Sequence, residues 1–198
     1  MNELHPILES IWTELRDGVV NRHHGFHLPV LSNTDEAGGP LARVVVLRLV
    51  DVEDRILQCH TDRRAPKVAA VRRDPRVHWL FYDYERRLQL RVGAIAEVCT
   101  EGAAFEAAWS SSSLDSRRCY LAPQVPGEES PVASANLPEA HLRRAPDPET
   151  SEAGRANFAV IRSRVESIDW LHLASGGHRR ARFRFTDRGG CSSTWLEP

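Results

Sequence analysis

The chain is expected to be mainly β with α: short antiparallel strands curled into a small barrel, with helices at its periphery. Three observations predict this. Short runs rich in Val, Leu, Ile and aromatic residues recur, joined by turns, giving roughly seven to nine strands. Only two or three helical segments accompany them, too few for a βαβ sheet. Neither GxGxxG nor a P-loop is present, so the common nucleotide-binding α/β motifs do not apply. With 198 residues, 41% hydrophobic and 27% charged, the composition suits a single globular domain over 1–198.

The elements follow in order. Residues 2–20 read as a helix, because Leu4, Ile7, Leu8, Ile11, Trp12 and Leu15 share one face. Phe26–Leu31 reads as a short strand and Asn33–Pro40 as a turn. Arg43–Val50 and Arg55–Thr61 read as a hairpin around the acidic turn Asp51–Asp54. Lys67–Arg73 is a short helix, stopped by Asp74-Pro75. Val77–Tyr82 and Leu88–Val98 are strands. Thr100 is a plausible N-cap for a helix through Phe105 to Trp109. From about 110 to 152 the texture turns rich in Pro, Ser and Glu, a long surface excursion holding a short helix or two. Asn157–Val165, Ser167–Leu173, Ala181–Thr186 and Ser193–Leu196 close the chain as strands.

Composition also narrows function. A net charge of −1 gives no global attraction for nucleic acid or an anionic membrane. No apolar run approaches the roughly 20 residues that cross a bilayer. The acidic, amphipathic N-terminus lacks the regions of a signal peptide, so a cytoplasmic location is expected. Cys59, Cys99, Cys119 and Cys191 are scattered without a CxxC, as reduced thiols would be. His23, His24 and His27 have no acidic or cysteine partner at ligand spacing, so no metal site is expected.

The hairpin concentrates positive charge beside a hydroxyl. Arg43, Thr61, Arg64 and Lys67 supply the donors a phosphate monoester needs, provided that the strand ends meet. A solvated hairpin with charged ends is the alternative. Arg43 and Arg48 fall on opposite faces of a regular strand, unless a bulge intervenes.

Several motifs then agree in order and spacing. Arg43-Val44-Val45-Val46-Leu47-Arg48, the hairpin ending in His60-Thr61, and Lys67 six residues on are similar to the flavin-binding signature of the pyridoxamine 5′-phosphate oxidase family. Asp74-Pro75-Arg76-Val77 resembles that family's NPR step, and Leu88-Gln89-Leu90-Arg91-Val92 its RQV strand. Ile168-Asp169-Trp170, His178–Phe183 and Trp195–Pro198 resemble its closing motif. The Trp109 to Gly127 stretch looks like one branch of FMN-binding relatives.

The resemblance implies a split β-barrel, an antiparallel Greek-key barrel, binding FMN at the interface of a homodimer. It puts Arg43, Thr61 and Lys67, with Arg64 beside them, on the FMN phosphate. His60 stands where the family has a neighbouring tyrosine. Val44, Val45 and Leu47 would offer backbone contacts to the ring edge. Gln89 and Arg182, the latter from the partner subunit, would reach the flavin. Trp170 matches a family tryptophan if two residues are inserted before Arg182. Arg48 matches a lysine near flavin and substrate, and a cation there favours the reduced anionic ring.

The departures fall on the substrate side. Of the family's Tyr, Arg and Ser clamp, only Ser116 remains; the other positions read Ala108 and Ser112. The family's Arg-x-His pair reads His178 and Arg180. Pro66 replaces an arginine, and the family's Gln-Ser pair has no clear counterpart. The resemblance therefore implies an FMN-dependent oxidoreductase acting on a small molecule, with pyridoxamine phosphate itself disfavoured. The alternative is a non-catalytic flavin or haem binder on the same barrel, with His60 or His178 as the haem ligand.

Overall fold

A computed structural model describes residues 4–186 and 189–198. Nine antiparallel strands form one sheet: β1 (Val30–Thr34), β2 (Pro40–Val44), β3 (Leu49–Asp51), β4 (Ile56–Asp62), β5 (Arg76–Asp83), β6 (Leu88–Cys99), β7 (Phe158–His172), β8 (Arg179–Phe185) and β9 (Cys191–Leu196). Their order is β2-β1-β5-β6-β7-β4-β3, with β8 pairing the far half of β7 and β9 pairing β8. The helices are α1 (Leu4–Val20), α2 (Pro66–Arg73), α3 (Ala103–Ser111), α4 (Leu114–Arg117) and α5 (Pro148–Glu152).

Local chemistry explains most of these elements. α1 buries Leu4, Ile11, Trp12 and Leu15, and Gly18 lets it approach Phe26, whose backbone lies 3.0 Å from where a Cβ would stand. α2 opens with Pro66, carries Arg72 and Arg73 in its last turn, and ends at an extended Asp74 ahead of Pro75. β5 alternates strictly, with Val77, Trp79, Phe81 and Asp83 inward.

Four expectations need correction. The strand Arg43–Val50 is two strands, because its halves pair with different partners. β2 pairs β1 and β3 pairs β4. Residues 45–48 cross between them: the Val45 and Leu47 N–H groups donate to the carbonyls of Pro29 and His27, and Arg48 N–H to that of Gln58. The sheet is therefore a barrel split between edge strands β2 and β3. The first strand begins at Val30 rather than Phe26. The two late strands are one, β7, with Glu166 taken up as a bulge opposite Gly93/Ala94. Finally, α3 starts after Gly102, without a side-chain cap from Thr100.

Two apolar clusters result. The main core fills the barrel and includes Leu57, Cys59, Trp79, Leu90, Ile161 and Phe183. A smaller one, Phe105, Ala108, Trp109, Phe158 and Val160, seats α3 on the outer face of β7. The 110–152 excursion is clasped at its ends. Arg117 donates to Glu152 (2.9 Å) and the Trp109 carbonyl (2.9 Å), and the Trp109 indole N–H also donates to Glu152 (3.0 Å).

Candidate functional site

Strand β4 sorts the expected residues by parity. Leu57, Cys59 and Thr61 face the barrel; Gln58 and His60 face outward, under α3. Each side carries its own polar cluster.

On the barrel side, Thr61 ends β4 and Lys67 lies in the first turn of α2, so one loop brings them together. The Lys67 ammonium donates to Thr61 Oγ1 at 3.0 Å. Arg43 sits opposite Leu31, a core residue, so its side chain also turns inward at the barrel end. It donates to the Leu31 carbonyl (3.1 Å) and to the side-chain oxygen of Asn33. Burial lowers the pKa of both cations, and their mutual repulsion lowers that of Lys67 further. Neither forms an ion pair among the described residues. Cys59 lies close to both, its thiol pushed up to about 12 by burial.

Arg64 behaves differently. Its guanidinium grips Asp62 through Nε (3.0 Å) and Nη2 (2.6 Å), and Nη2 also donates to the Ala122 carbonyl at 2.9 Å. It anchors the excursion to the loop. Gly127 of the excursion also rests over the Pro66 ring.

On the outer side lies a cavity of about 490 Å³. Arg48, Leu49, Asp51, Gln58, His60 and Arg162 form one wall, and Ala104, Ala107, Ala108, Ser111, Ser112, Ser113 and Ser116 the other. The His60 ring meets Phe158 edge-on at 5.0 Å. Burial, then the nearby Arg48 charge, pushes its pKa down to about 4, so the imidazole is neutral at pH 7. Arg162 is held by Glu97 at 3.2 Å. Arg48 has no side-chain hydrogen bond or ion pair among the described residues.

The remaining expected residues lie elsewhere. Gln89, Arg180 and Arg182 share the outer face of the β6–β7–β8 end. There Asp169 collects three arginines: Arg180 through Nε (3.0 Å) and Nη2 (2.9 Å), Arg91 at 2.9 Å and Arg182 at 3.7 Å. A cavity of about 240 Å³ opens beside them, lined also by His78 and Ser167. Trp170 points the other way, into the core, 9% exposed, so it is not brought to Gln89 and Arg182. His178 is exposed in the turn before β8. Val44 is exposed on β2, and Leu47 is buried. Because the Val45 and Leu47 N–H groups are used inside the fold, this segment has only carbonyls to offer at those two positions.

The two groups are far apart within one chain. Thr61 pairs with Ala159 and Arg182 with Asp169 on the same side of β7. Ten residues separate those positions (169 − 159); with Glu166 bulged out, about nine strand rises remain, roughly 30 Å of strand at about 3.3 Å per residue.

Sequence reasoning missed Gln58, Arg162, Asn33 and Asp169. Gln58 was within reach, since it shares a strand face with His60 two residues on. The others depend on strand register.

The split antiparallel sheet with flanking helices defines a split-barrel protein, and solved structures agree. An FMN binding protein from Nostoc punctiforme PCC 73102, described as pyridoxamine 5′-phosphate oxidase-related, superposes with a TM-score of 0.75 at 19% identity, covering 98% of each chain. PhzG from Burkholderia lata 383, solved in complex with tetrahydrophenazine-1-carboxylic acid, gives 0.69 at 18% identity, covering 98% of this chain and 92% of its own. A Clostridium acetobutylicum protein related to general stress protein 26 gives 0.57 at 11% identity, covering 93% and 96%. Residues 8–100, just under half of the chain, match the family model described as pyridoxamine 5′-phosphate oxidase, FMN-binding domain, so this part of the chain is similar to pyridoxamine 5′-phosphate oxidase-like proteins. No curated protein matches the sequence. Among the described residues no helix is long and apolar enough to cross a membrane, and no group of three or more His, Cys, Asp or Glu side chains is placed to hold a metal ion.

Proposed function

We propose that this chain is a cytoplasmic FMN-dependent oxidoreductase, acting on a small molecule as a homodimer with the flavin at the subunit interface. The observation that carries this reading is the Arg43–Lys67 pair. Two desolvated cations lie around Cys59, Lys67 donating to the Thr61 hydroxyl and Arg43 to the neutral oxygens of Leu31 and Asn33, and neither forms an ion pair among the described residues. Holding such a pair together without an anion is costly, and a phosphate dianion supplies the missing charge and acceptor oxygens. The residues present therefore fit the phosphate of FMN.

When bound, FMN supplies a two-electron acceptor for the substrate. The chain's own residues bind and orient. Arg43, Thr61 and Lys67 hold the phosphate. Arg64, spent on Asp62, fixes the loop that carries them. Arg48 presents a cation from the crossing segment to the outer cavity. Gln89 and Arg182 lie too far along β7 to join the Thr61 cluster within one chain, which supports a second copy bringing them across. Ser116 lines the cavity, whereas Arg180 and His178 belong to the Asp169 end, so the proposed substrate contacts also divide between two copies.

The test is the visible spectrum of the purified protein before and after anaerobic dithionite, with released cofactor identified by chromatography. Two flavin bands that bleach, and release of FMN, are expected. A Soret band would turn the reading to a haem binder, and failure to take up added FMN would end it.

A further inference from the structure

The outer cavity is open where a substrate phosphate clamp would stand, and its chemistry differs from that of the barrel-end cluster. Arg48 is the one cation in its lining without an ion pair among the described residues, since Glu97 holds Arg162. Asp51 lies on the same wall, where it would oppose a second negative charge. His60 is neutral and Gln58 carries no charge. The serines are partly committed. Ser111 and Ser112 donate to the Ala108 carbonyl at 3.2 and 2.8 Å, and Ser113 donates to Ser116 at 3.0 Å. One planar guanidinium left without an ion pair, with Arg162 spent on Glu97 and Asp51 on the same wall, suits a monoanion better than a dianion, and matches a carboxylate in paired geometry.

The opposite wall has a different character. Ala104, Ala107 and Ala108 stand at i, i+3 and i+4 on α3, so they form one shallow apolar face. Nothing longer than a methyl group projects from it. Across from it stand the His60 ring and the β4 backbone. The methyl face and the His60 ring of the same cavity are apolar surfaces against which a flat body can pack.

We propose that this cavity binds a compact carboxylic acid with a flat apolar body, its carboxylate on Arg48 and its ring against the alanine face of α3. This deepens the oxidoreductase reading and rests on it for the acid's role as substrate; the anion contact stands on Arg48 alone.

Calorimetry with benzoate, benzamide and phenyl phosphate tests it, on protein with and without added FMN, while flavin uptake is read separately by absorbance. Benzoate is expected to bind at least tenfold more tightly than benzamide and no more weakly than phenyl phosphate. R48Q should weaken benzoate at least tenfold. A107W, which fills the alanine face without touching a charge, should weaken all three probes. S112R, which adds a second cation, should shift preference toward phenyl phosphate. Equal binding of benzoate and benzamide, tighter binding of phenyl phosphate by the unaltered protein, or benzoate binding indifferent to R48Q would each overturn the proposal. FMN uptake without benzoate binding sinks the carboxylate site alone. Benzoate binding that depends on Arg48, without FMN uptake, sinks the flavin reading and leaves the acid site standing.

Discussion

Two cationic clusters occupy opposite ends of this sheet, and they are wired differently. At the barrel end, Lys67 donates to Thr61 and Arg43 to Leu31 and Asn33, neutral hydrogen-bond partners only, and burial depresses the pKa of both. At the β8 end, Arg91, Arg180 and Arg182 converge on Asp169. Burial alone would raise the Asp169 pKa, but the hydrogen bonds from Arg180 and Arg91 outweigh it and hold the carboxyl below its usual value. A cation pair left without an ion-pair partner is poised for an anion from outside. Cations gathered on a carboxylate are already satisfied, and they serve first to lock strands together.

Breaking each cluster should therefore give opposite phenotypes. K67M removes a charge-assisted contact worth roughly 1.5–3 kcal/mol, so FMN affinity should fall about ten- to a hundredfold. Stability should hold or rise, because a desolvated cation is lost. Fluorescence titration with FMN beside a thermal melt checks both; a large fall in melting temperature with unchanged affinity would make Lys67 a structural residue. D169N should act first on stability. Leaving three arginines without their carboxylate should cost about 2 kcal/mol, discounted for their partial exposure, or about 4–8 °C in Tm. The pH dependence carries the sign. The folded pKa of Asp169 lies below its unfolded value, so its contribution is present above about pH 4 and fades as pH falls through the folded value. D169N should flatten that acid limb, and unfolding by urea across pH 2.5–7 should show whether it does.

How much of this was legible in the sequence depended on the range of the interaction. α1, α2, β5 and β6 follow from periodicity and from Pro and Gly, which act locally. The break at 45–48 does not. Val44 to Leu47 has the composition of one continuous strand, and only the assignment of β2 to β1 and β3 to β4 makes the backbone turn. Glu166 misled in the opposite sense: it interrupts an apolar pattern, yet β7 runs through it by bulging. The site divides in the same way. Arg43, Thr61 and Lys67 stand in one motif, and the chain brings them together. Asp169 and Arg162 acquire meaning only once register sets them beside Arg180, on the next strand, and Glu97, 65 residues earlier in the sequence.

Arg64 is the sharpest test of the distinction, because in sequence it looks like a third phosphate ligand and in the fold it is tied to Asp62. If satisfied cations are structural, R64A should change FMN affinity less than K67M does. The loss of its two bonds to Asp62 and one to Ala122 should cost about 1 kcal/mol. Asp62 keeps the backbone N–H of residue 64, which lies 2.8 Å from Oδ1 and survives the substitution. The visible change should fall on the excursion, released where the Ala122 carbonyl loses its donor. Limited proteolysis should then cut within 122–136 faster than in the unaltered protein. Should R64A instead lower FMN affinity as far as K67M does, the Asp62 contact yields to the phosphate on binding, and pairing in the free chain does not separate structural arginines from ligand-holding ones.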